Sequence, residues 1–443
     1  MENGIRDART LGTPKMLLLG LQHMFAMFGA TVLVPALTGL SVSATLLFAG
    51  LGTLLFHFLT KGKVPAFLGS SFAFIGGYAA VNALIGNTAE LNWIPYAGVG
   101  VACAGLMYVL LAALFRAFGA GKVMRYFPPI VTGPIIICIG MTLANSAINN
   151  CAANWWIAIL AIAIVVVANI WGKGMIKIIP ILLGVVGSYA VAAVCGLVDF
   201  TPVQNAAWFG IPFFWKDTAF SLFKGCDGSL LISAIITIMP IALATVVEHI
   251  GDMCAISSTV GENFIEEPGL HRSLLGDGLA TSLASLFGAP ANTTYGENTG
   301  VLALTKVYDP RVIRIAAVLA ILFSFSPKFA ALVSCMPTAT IGGVSLILYG
   351  MISAVGVRNV VENQVDFTKS RNVIIAAIIM SLSLGISFSS AGAIAFTIGS
   401  ITISLSGLAV AALVGILLNA VLPGNDYEFG ANQQGDKSVN FKV

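Results

Sequence analysis

The sequence predicts an all-α polytopic membrane protein of about fourteen spans, folded as two inverted repeats of seven, and three observations carry that expectation. Hydrophobic residues make up 58% of the 443 and charged residues only 9%, so lipid is the solvent for most of the chain. Apolar runs of roughly 20 residues, the length that crosses a hydrocarbon core, recur from Met16 almost to Leu422. Landmarks in the first half return in the second at a nearly constant offset. No stretch is left for a soluble domain of useful size. Residues 1–443 therefore read as one integral membrane domain, with repeat 1 at about 15–198, repeat 2 at about 229–422 and short termini.

Taken in order, the runs of the first half lie at about 15–37, 44–60, 66–86, 94–118, 126–148, 154–172 and 175–198. Those of the second lie at about 229–251, 272–287, 292–307, 312–334, 337–356, 371–388 and 392–422. The first run follows Arg6, Arg9 and Lys15, yet it is too long for a signal-peptide core and no A-x-A-like cleavage site follows, so it reads as a retained helix. The third and tenth begin with Pro- and Gly-containing stretches, which predicts a short extended piece followed by a half-helix in each.

Charge reports topology. With the N-terminus placed inside, the inner loops and termini hold Arg6, Arg9, Lys15, Lys61, Lys63, Arg116, Lys122, Arg125, Lys173, Lys177, Arg272, Lys306, Arg311, Arg314, Arg358, Lys369, Arg371, Lys437 and Lys442. Only Lys216, Lys224 and Lys328 fall outside. A ratio of 19 to 3 supports both the span count and cytoplasmic termini. The net charge of +3 is small and spread over loops, whereas a nucleic-acid partner needs a concentrated basic face. The seven cysteines form no C-x-x-C pair and most lie in apolar runs, where a thiol behaves as a small hydrophobe; no metal, disulfide or cofactor is expected.

The repeat shows in paired landmarks. Gln22-His23 of the first span is answered by Glu248-His249 in the eighth, 226 residues on. Pro65, ahead of Ser70-Ser71-Phe72, is answered by Pro290, ahead of Tyr295-Gly296-Glu297, 225 residues on. Pro128 with Gly133 echoes Pro337 with Gly342 at a shorter offset of 209, which implies unequal loops between them. Seven spans is an odd number, so the halves must be inverted across the membrane, and a substrate site is expected where the broken helices meet.

Ionisable side chains within a span are costly and demand a reason. Glu248 follows the apolar run Leu230 to Val247, and Glu297 follows the second break; both are expected to approach one cavity with Phe72 of the first break. The bland alternative for Glu297 is a helix N-terminal carboxylate satisfied by backbone N–H groups. For Glu248 it is a buried ion pair with His249 or another histidine. A neutral planar heterocycle such as uracil suits the site. Its N–H groups donate to a carboxylate, its carbonyls accept from half-helix N–H groups, and Phe72 or Tyr295 supplies an apolar face. A proton that neutralises the carboxylate as the loaded cavity closes would give coupling.

The stretches Leu21-Gln22-His23-Met24-Phe25-Ala26-Met27-Phe28-Gly29-Ala30, Gly69-Ser70-Ser71-Phe72, and Asn292-Thr293-Thr294-Tyr295-Gly296-Glu297-Asn298-Thr299-Gly300 running to Thr305-Lys306 resemble the nucleobase–ascorbate transporter family, and within it the bacterial uracil permeases. The resemblance implies a core domain and a gate domain, elevator-like uracil:proton symport, a homodimer and a bacterial inner-membrane location. By the same motifs Glu248 and Glu297 would bind the base, Phe72 and Gly296 would add backbone contacts, and Tyr295 and Tyr349 would line the cavity, with Ser71 beside them. Proton coupling would fall to Glu248, Glu297, Asp252, His249 or Asp277. Two positions depart from the pattern. Asp252 stands where such permeases often carry a second histidine, and Asp277 is similar to an aspartate of the purine-carrying branch, which generally has glutamine in place of Glu297.

Other polar residues have structural readings. Gln22 and His23 are expected to form a hydrogen-bonded pair that stiffens the core, with Asn298 a further structural polar group. Ser70 and Ser71 could simply cap a half-helix, and Tyr349 could be a packed aromatic. His57 and His271 read as interfacial, and Glu262, Glu266 and Glu267 as members of a solvated loop. The rival functions are a xanthine or urate permease of the same family and an anion exchanger of related inverted-repeat architecture. A membrane-embedded enzyme has no support, because no phosphate-binding glycine loop, metal-ligand spacing or nucleophile elbow is present.

Overall fold

The computed structural model describes residues 4–86, 91–425 and 427; Lys437 and Lys442 lie outside them. Counting helices of eight residues or more, the first half contains α1 (Thr13–Thr38), α2 (Val42–Leu59), strand β1 (Leu68–Ser70) leading to α3 (Ile75–Ile85), α4 (Trp93–Phe118), α5 (Pro129–Ala152), α6 (Trp155–Trp171) and α7 (Pro180–Val194). The second half contains α8 (Gly228–Ile238), α9 (Ala242–Val260), α10 (Leu270–Leu286), strand β2 (Asn292–Thr294) leading to α11 (Gly296–Thr305), α12 (Pro310–Ser324), α13 (Pro327–Ser334), α14 (Thr338–Glu362) and α15 (Ser370–Ser387). It ends with a hairpin of β3 (Ala393–Ile398) and β4 (Ile401–Ser406), and α16 (Gly407–Val421). Side-chain caps start several helices: Asn92 Oδ1 accepts from Ile94 N at α4, Asn154 Oδ1 from Ile157 N at α6, and Asp227 Oδ1 from Ser229 N and Leu230 N at α8.

Each of the fourteen predicted runs contains helix. By length and composition, 7 described helices can cross a membrane, α8 and α9 counting as one, and the pair α12–α13, bent by 89°, makes an eighth. The helix of the eighth run extends to Val260, beyond the predicted end of the run near 251, and carries both Glu248 and Asp252. Both predicted breaks are extended segments, and they pair with each other: Leu68 opposite Thr294, Gly69 opposite Thr293 and Ser70 opposite Asn292, antiparallel.

One departure from an all-α chain was not expected. The last run opens as the exposed β3–β4 hairpin, whose two-residue turn is Gly399-Ser400, with Gly399 at φ 63°. The period-two series Ile394, Phe396, Ile398 and Ile401, Ile403, Leu405 favours strand over helix, and a glycine able to adopt positive φ closes the turn. β4 rests on α8, where Thr402 N donates to Ser233 Oγ at 3.0 Å.

Glycines allow the helices to approach closely. A Cβ on Gly140 of α5 would lie 2.1 Å from Tyr349 O of α14; at Gly133 it would lie 3.2 Å from Gly356 O, and at Gly342 2.5 Å from Cys151 N. These contacts make α5 and α14 an antiparallel pair, and α6 joins it through Gly343 against Ala158 O. A second set is held the same way, α4 on α10 through Gly105 and Gly278, and α2 on α12 through Gly50 against Ala317 O. The β1–β2 pair lies in this second set, with α14 facing it across Phe72 and Tyr349.

Candidate binding site

The site is built on the seam between the two breaks. Ser71 N donates to Ala291 O at 2.8 Å and Tyr295 N to Phe67 O at 3.0 Å, extending the β1–β2 ladder at both ends. Neighbouring helices satisfy the rest: Thr53 Oγ1 accepts from Leu68 N at 2.9 Å, Tyr78 OH accepts from Ala291 N at 2.9 Å, and Thr281 Oγ1 donates to Asn292 O at 2.9 Å. A non-helical backbone can lie this deep only when its amides are paired in this way. The Tyr295 ring covers Gly69, where a Cβ would meet it at 2.5 Å, and its hydroxyl donates to Ser70 O at 2.9 Å. Ser70 Oγ in turn donates to Thr31 O at 2.9 Å, so Tyr295 and Ser70 secure the seam.

Beyond it the chain turns into α11. Gly296 is exposed and has open space where a Cβ would stand, so the first turn of this half-helix faces a gap. Glu297, next in that turn, is half-buried. Across from it, Glu248 of α9 is also half-buried, lies within electrostatic reach of Glu297, Asp252 and Asp277, and leaves Oε2 without a hydrogen-bond partner among the described residues. Ser71 Oγ is buried and likewise unpartnered. Phe72 packs against Tyr349 of α14, ring centroids 5.7 Å apart and nearly perpendicular at 75°. Glu248 and Glu297 thus lie within electrostatic reach of each other, while Ser71 and Phe72 follow β1, with Tyr349 of α14 against the Phe72 ring.

The remaining candidates surround this group. His249 turns away from Glu248: its Nδ1 is 2.9 Å from Asp277 Oδ2 and its Nε2 3.0 Å from Ser273 Oγ, all fully buried. An ion pair between Glu248 and His249 is therefore absent. Asp252 Oδ2 accepts from Thr294 Oγ1 at 2.7 Å, and Asp252 borders a cavity of about 110 Å³ walled also by Val247, Ile136, Val355 and Arg358. Gln22 and His23 do not pair with each other. Asn298 Nδ2 donates to His23 O at 3.1 Å and sits 3.1 Å from His23 Nδ1, because two buried residues on α1 and α11 face each other, while Gln22 Nε2 reaches the Met175 sulfur. His57, in the last turn of α2, is buried among protein, with Nε2 2.9 Å from Ala66 O. Thr294 and Ser273 escaped the sequence reading, since isolated hydroxyl residues are common in apolar runs and only the fold brings these two to Asp252 and His249.

A profile described as "Permease family" matches residues 14–392. The uracil permease of Bacillus subtilis (strain 168) is 41% identical over 433 residues, covering 95% of each chain. The chain belongs to the nucleobase–ascorbate transporter family. The uracil permease of Escherichia coli (strain K12), at 38% identity over 91% of this chain and 90% of its own, extends the same relationship within that family. Among solved structures, the transmembrane domain of a cyanobacterium bicarbonate transporter, BicA, is similar at TM-score 0.57 and 14% identity, covering 94% of this chain and 99% of that one. The murine anion transporter Slc26a9 in its inward-facing state is similar at TM-score 0.59 and 12% identity, covering 91% of this chain and 67% of that one. At such identities these two likenesses speak to the fold alone. As a member of the nucleobase–ascorbate transporter family the chain is a multi-pass membrane permease.

Proposed function

We propose that the chain imports uracil together with a proton across the bacterial inner membrane, both termini cytoplasmic. The observation that carries this reading is the pair of half-buried carboxylates, Glu248 and Glu297, around the open first turn of α11, with His249 engaged elsewhere. The Glu297 and Glu248 carboxylates accept the two uracil N–H groups, and the backbone N–H groups of the first turn of α11 donate to a carbonyl. Phe72 supplies the apolar face. A proton taken up by one of the carboxylates neutralises the loaded site before it crosses.

The two glycine-packed helix sets support an elevator: the set carrying β1, β2, α9 and α11 is the core domain, and α5, α6, α7 and α14 with α15 and α16 form the gate. The fourteen apolar runs are its spans and the seam relates the two inverted repeats. The chain works as a homodimer, as the family resemblance implies. The uracil permease relatives support the substrate choice. The anion-exchanger alternative shares the fold, but Glu297 in the first turn of α11 would repel an anion there. Binding of purified protein to uracil, thymine, xanthine and urate in parallel tests the proposal. Uracil is expected to bind best, and a preference for xanthine or urate would replace it with the purine reading.

A further inference from the structure

The two helices that carry the carboxylates end near each other, at the face where the chain begins. By the rise of an α-helix, Glu248 lies about 18 Å from the end of α9 at Val260, and Glu297 about 12 Å from the end of α11 at Thr305. The segment Gly4–Leu11 spans both ends. Ile5 N donates to Lys306 O and Tyr308 N to Ile5 O, each at 2.8 Å, which stitches the segment to the turn after α11. Ala8 N donates to Asp309 Oδ2 at 2.7 Å, with both residues buried. Arg311 Nη1 donates to Asp7 Oδ1 at 2.9 Å and to Asp309 Oδ2 at 3.2 Å. On the α9 side, Arg6 pairs with Glu262 and donates from Nη2 to Val260 O at 3.3 Å.

α11 needs such support. It has only 10 residues, too few to be stable by itself, and its first turn faces open space at Gly296. Its position is therefore set by its packing on α9 and α1, the Asn298–His23 contact included, and by what grips its two ends, the β1–β2 seam at one and the N-terminal segment at the other. Ordering a terminal segment costs about 1–2 kcal/mol per residue, so contacts of this number and burial are needed to hold it in place.

We propose that Gly4–Leu11 is a clamp across the ends of α9 and α11. Arg6, Asp7, Glu262, Asp309 and Arg311 are its positioning residues. By fixing α11 against α9 the clamp sets the spacing of Glu248 and Glu297, and with it the affinity for substrate. The ligand rests on the uracil reading, whereas the clamp itself rests on contacts that do not involve the site.

The test is a charge swap in the full chain: Arg6→Glu, Glu262→Arg and the double variant, compared with wild type by calorimetric uracil binding and by hydrogen exchange over α11. Each single reversal is expected to weaken uracil binding about fivefold, the scale of one partly exposed ion pair, and to speed exchange in α11. The double variant is expected to recover both to within about twofold. Single variants that bind and exchange as wild type does, or a double variant no better than the singles, would overturn the clamp. Should wild type bind no uracil, the substrate reading fails by itself, and the exchange pattern over α11 still decides the clamp. If reversal prevents purification, Arg6→Gln and Glu262→Gln, which remove the pair without adding repulsion, carry the same comparison.

Discussion

Glu297 occupies a turn where backbone N–H groups lack intrahelical partners and the helix dipole favours negative charge. Such a carboxylate could serve only its own helix, and substitution separates the two roles. Glu297→Gln keeps the shape and an acceptor; if the group merely stabilised α11, the change would cost about 0.3–1 kcal/mol and transport would survive. We expect uracil uptake in vesicles to fall about a hundredfold instead, the scale of a lost charge-assisted hydrogen bond, and substantial residual uptake would remove the binding role. Glu248→Gln is expected to weaken exchange through the lost charge-assisted bond to uracil and to leave the remainder less dependent on an imposed pH gradient; unchanged dependence would move coupling to Asp252, Asp277 or a histidine. Thr294 makes a separate case. Thr294→Val removes the donor to Asp252 Oδ2, and thermal unfolding is expected to show a loss of about 1–3 kcal/mol from the stranded carboxylate. Sequence could single out the acids because ionisable groups in apolar runs are rare, but it could not assign their partners. His249 meets Ser273 and Asp277, 24 and 28 positions away on another helix, and nothing local in either run announces it.

At the scale of elements, the echo of Pro128 and Gly133 in Pro337 and Gly342 has a physical counterpart. Gly133, near the start of α5, meets Gly356 and Val360 near the end of α14; Gly342, near the start of α14, meets Asn150 and Cys151 near the end of α5. Midway, Gly140 lies against the Tyr349 carbonyl. Both glycines at the crossings are legible from sequence as repeats, yet their function as contact points needed the pair to be seen. Gly140→Ala would press a methyl to 2.1 Å from Tyr349 O and 2.3 Å from Ser353 Oγ, so the helices must part. Thermal unfolding is expected to drop by about 1–3 kcal/mol, with weaker uracil binding as Tyr349 withdraws from Phe72. Gly350→Ala, which meets nothing within 4 Å, should leave both unchanged. The hairpin at 393–406 shows the opposite failure of legibility: hydropathy marks a span-length apolar run, but its period-two spacing gives strands.

For the whole molecule, hydropathy marked fourteen apolar runs, each of which contains helix, because lipid disfavours polar residues within a span, whereas the close contacts between runs leave no periodic trace. Orientation is directly testable. A membrane-impermeant maleimide on intact cells is expected to label a single cysteine at Cys226, exposed beside Lys224, but not one introduced by Gly121→Cys beside Lys122. The reverse pattern would invert the topology. The seam between Leu68–Ser70 and Asn292–Thr294 also bears on how the protein is made. Apart from Leu68 N, which Thr53 satisfies, the first break is paired with a strand more than two hundred residues downstream, so during synthesis the leading half enters the bilayer with a gap in its hydrogen bonding that the trailing half fills. Neither half is a finished object. A chain severed in the 199–228 loop would regain transport only if its two fragments found each other and joined this ladder between them.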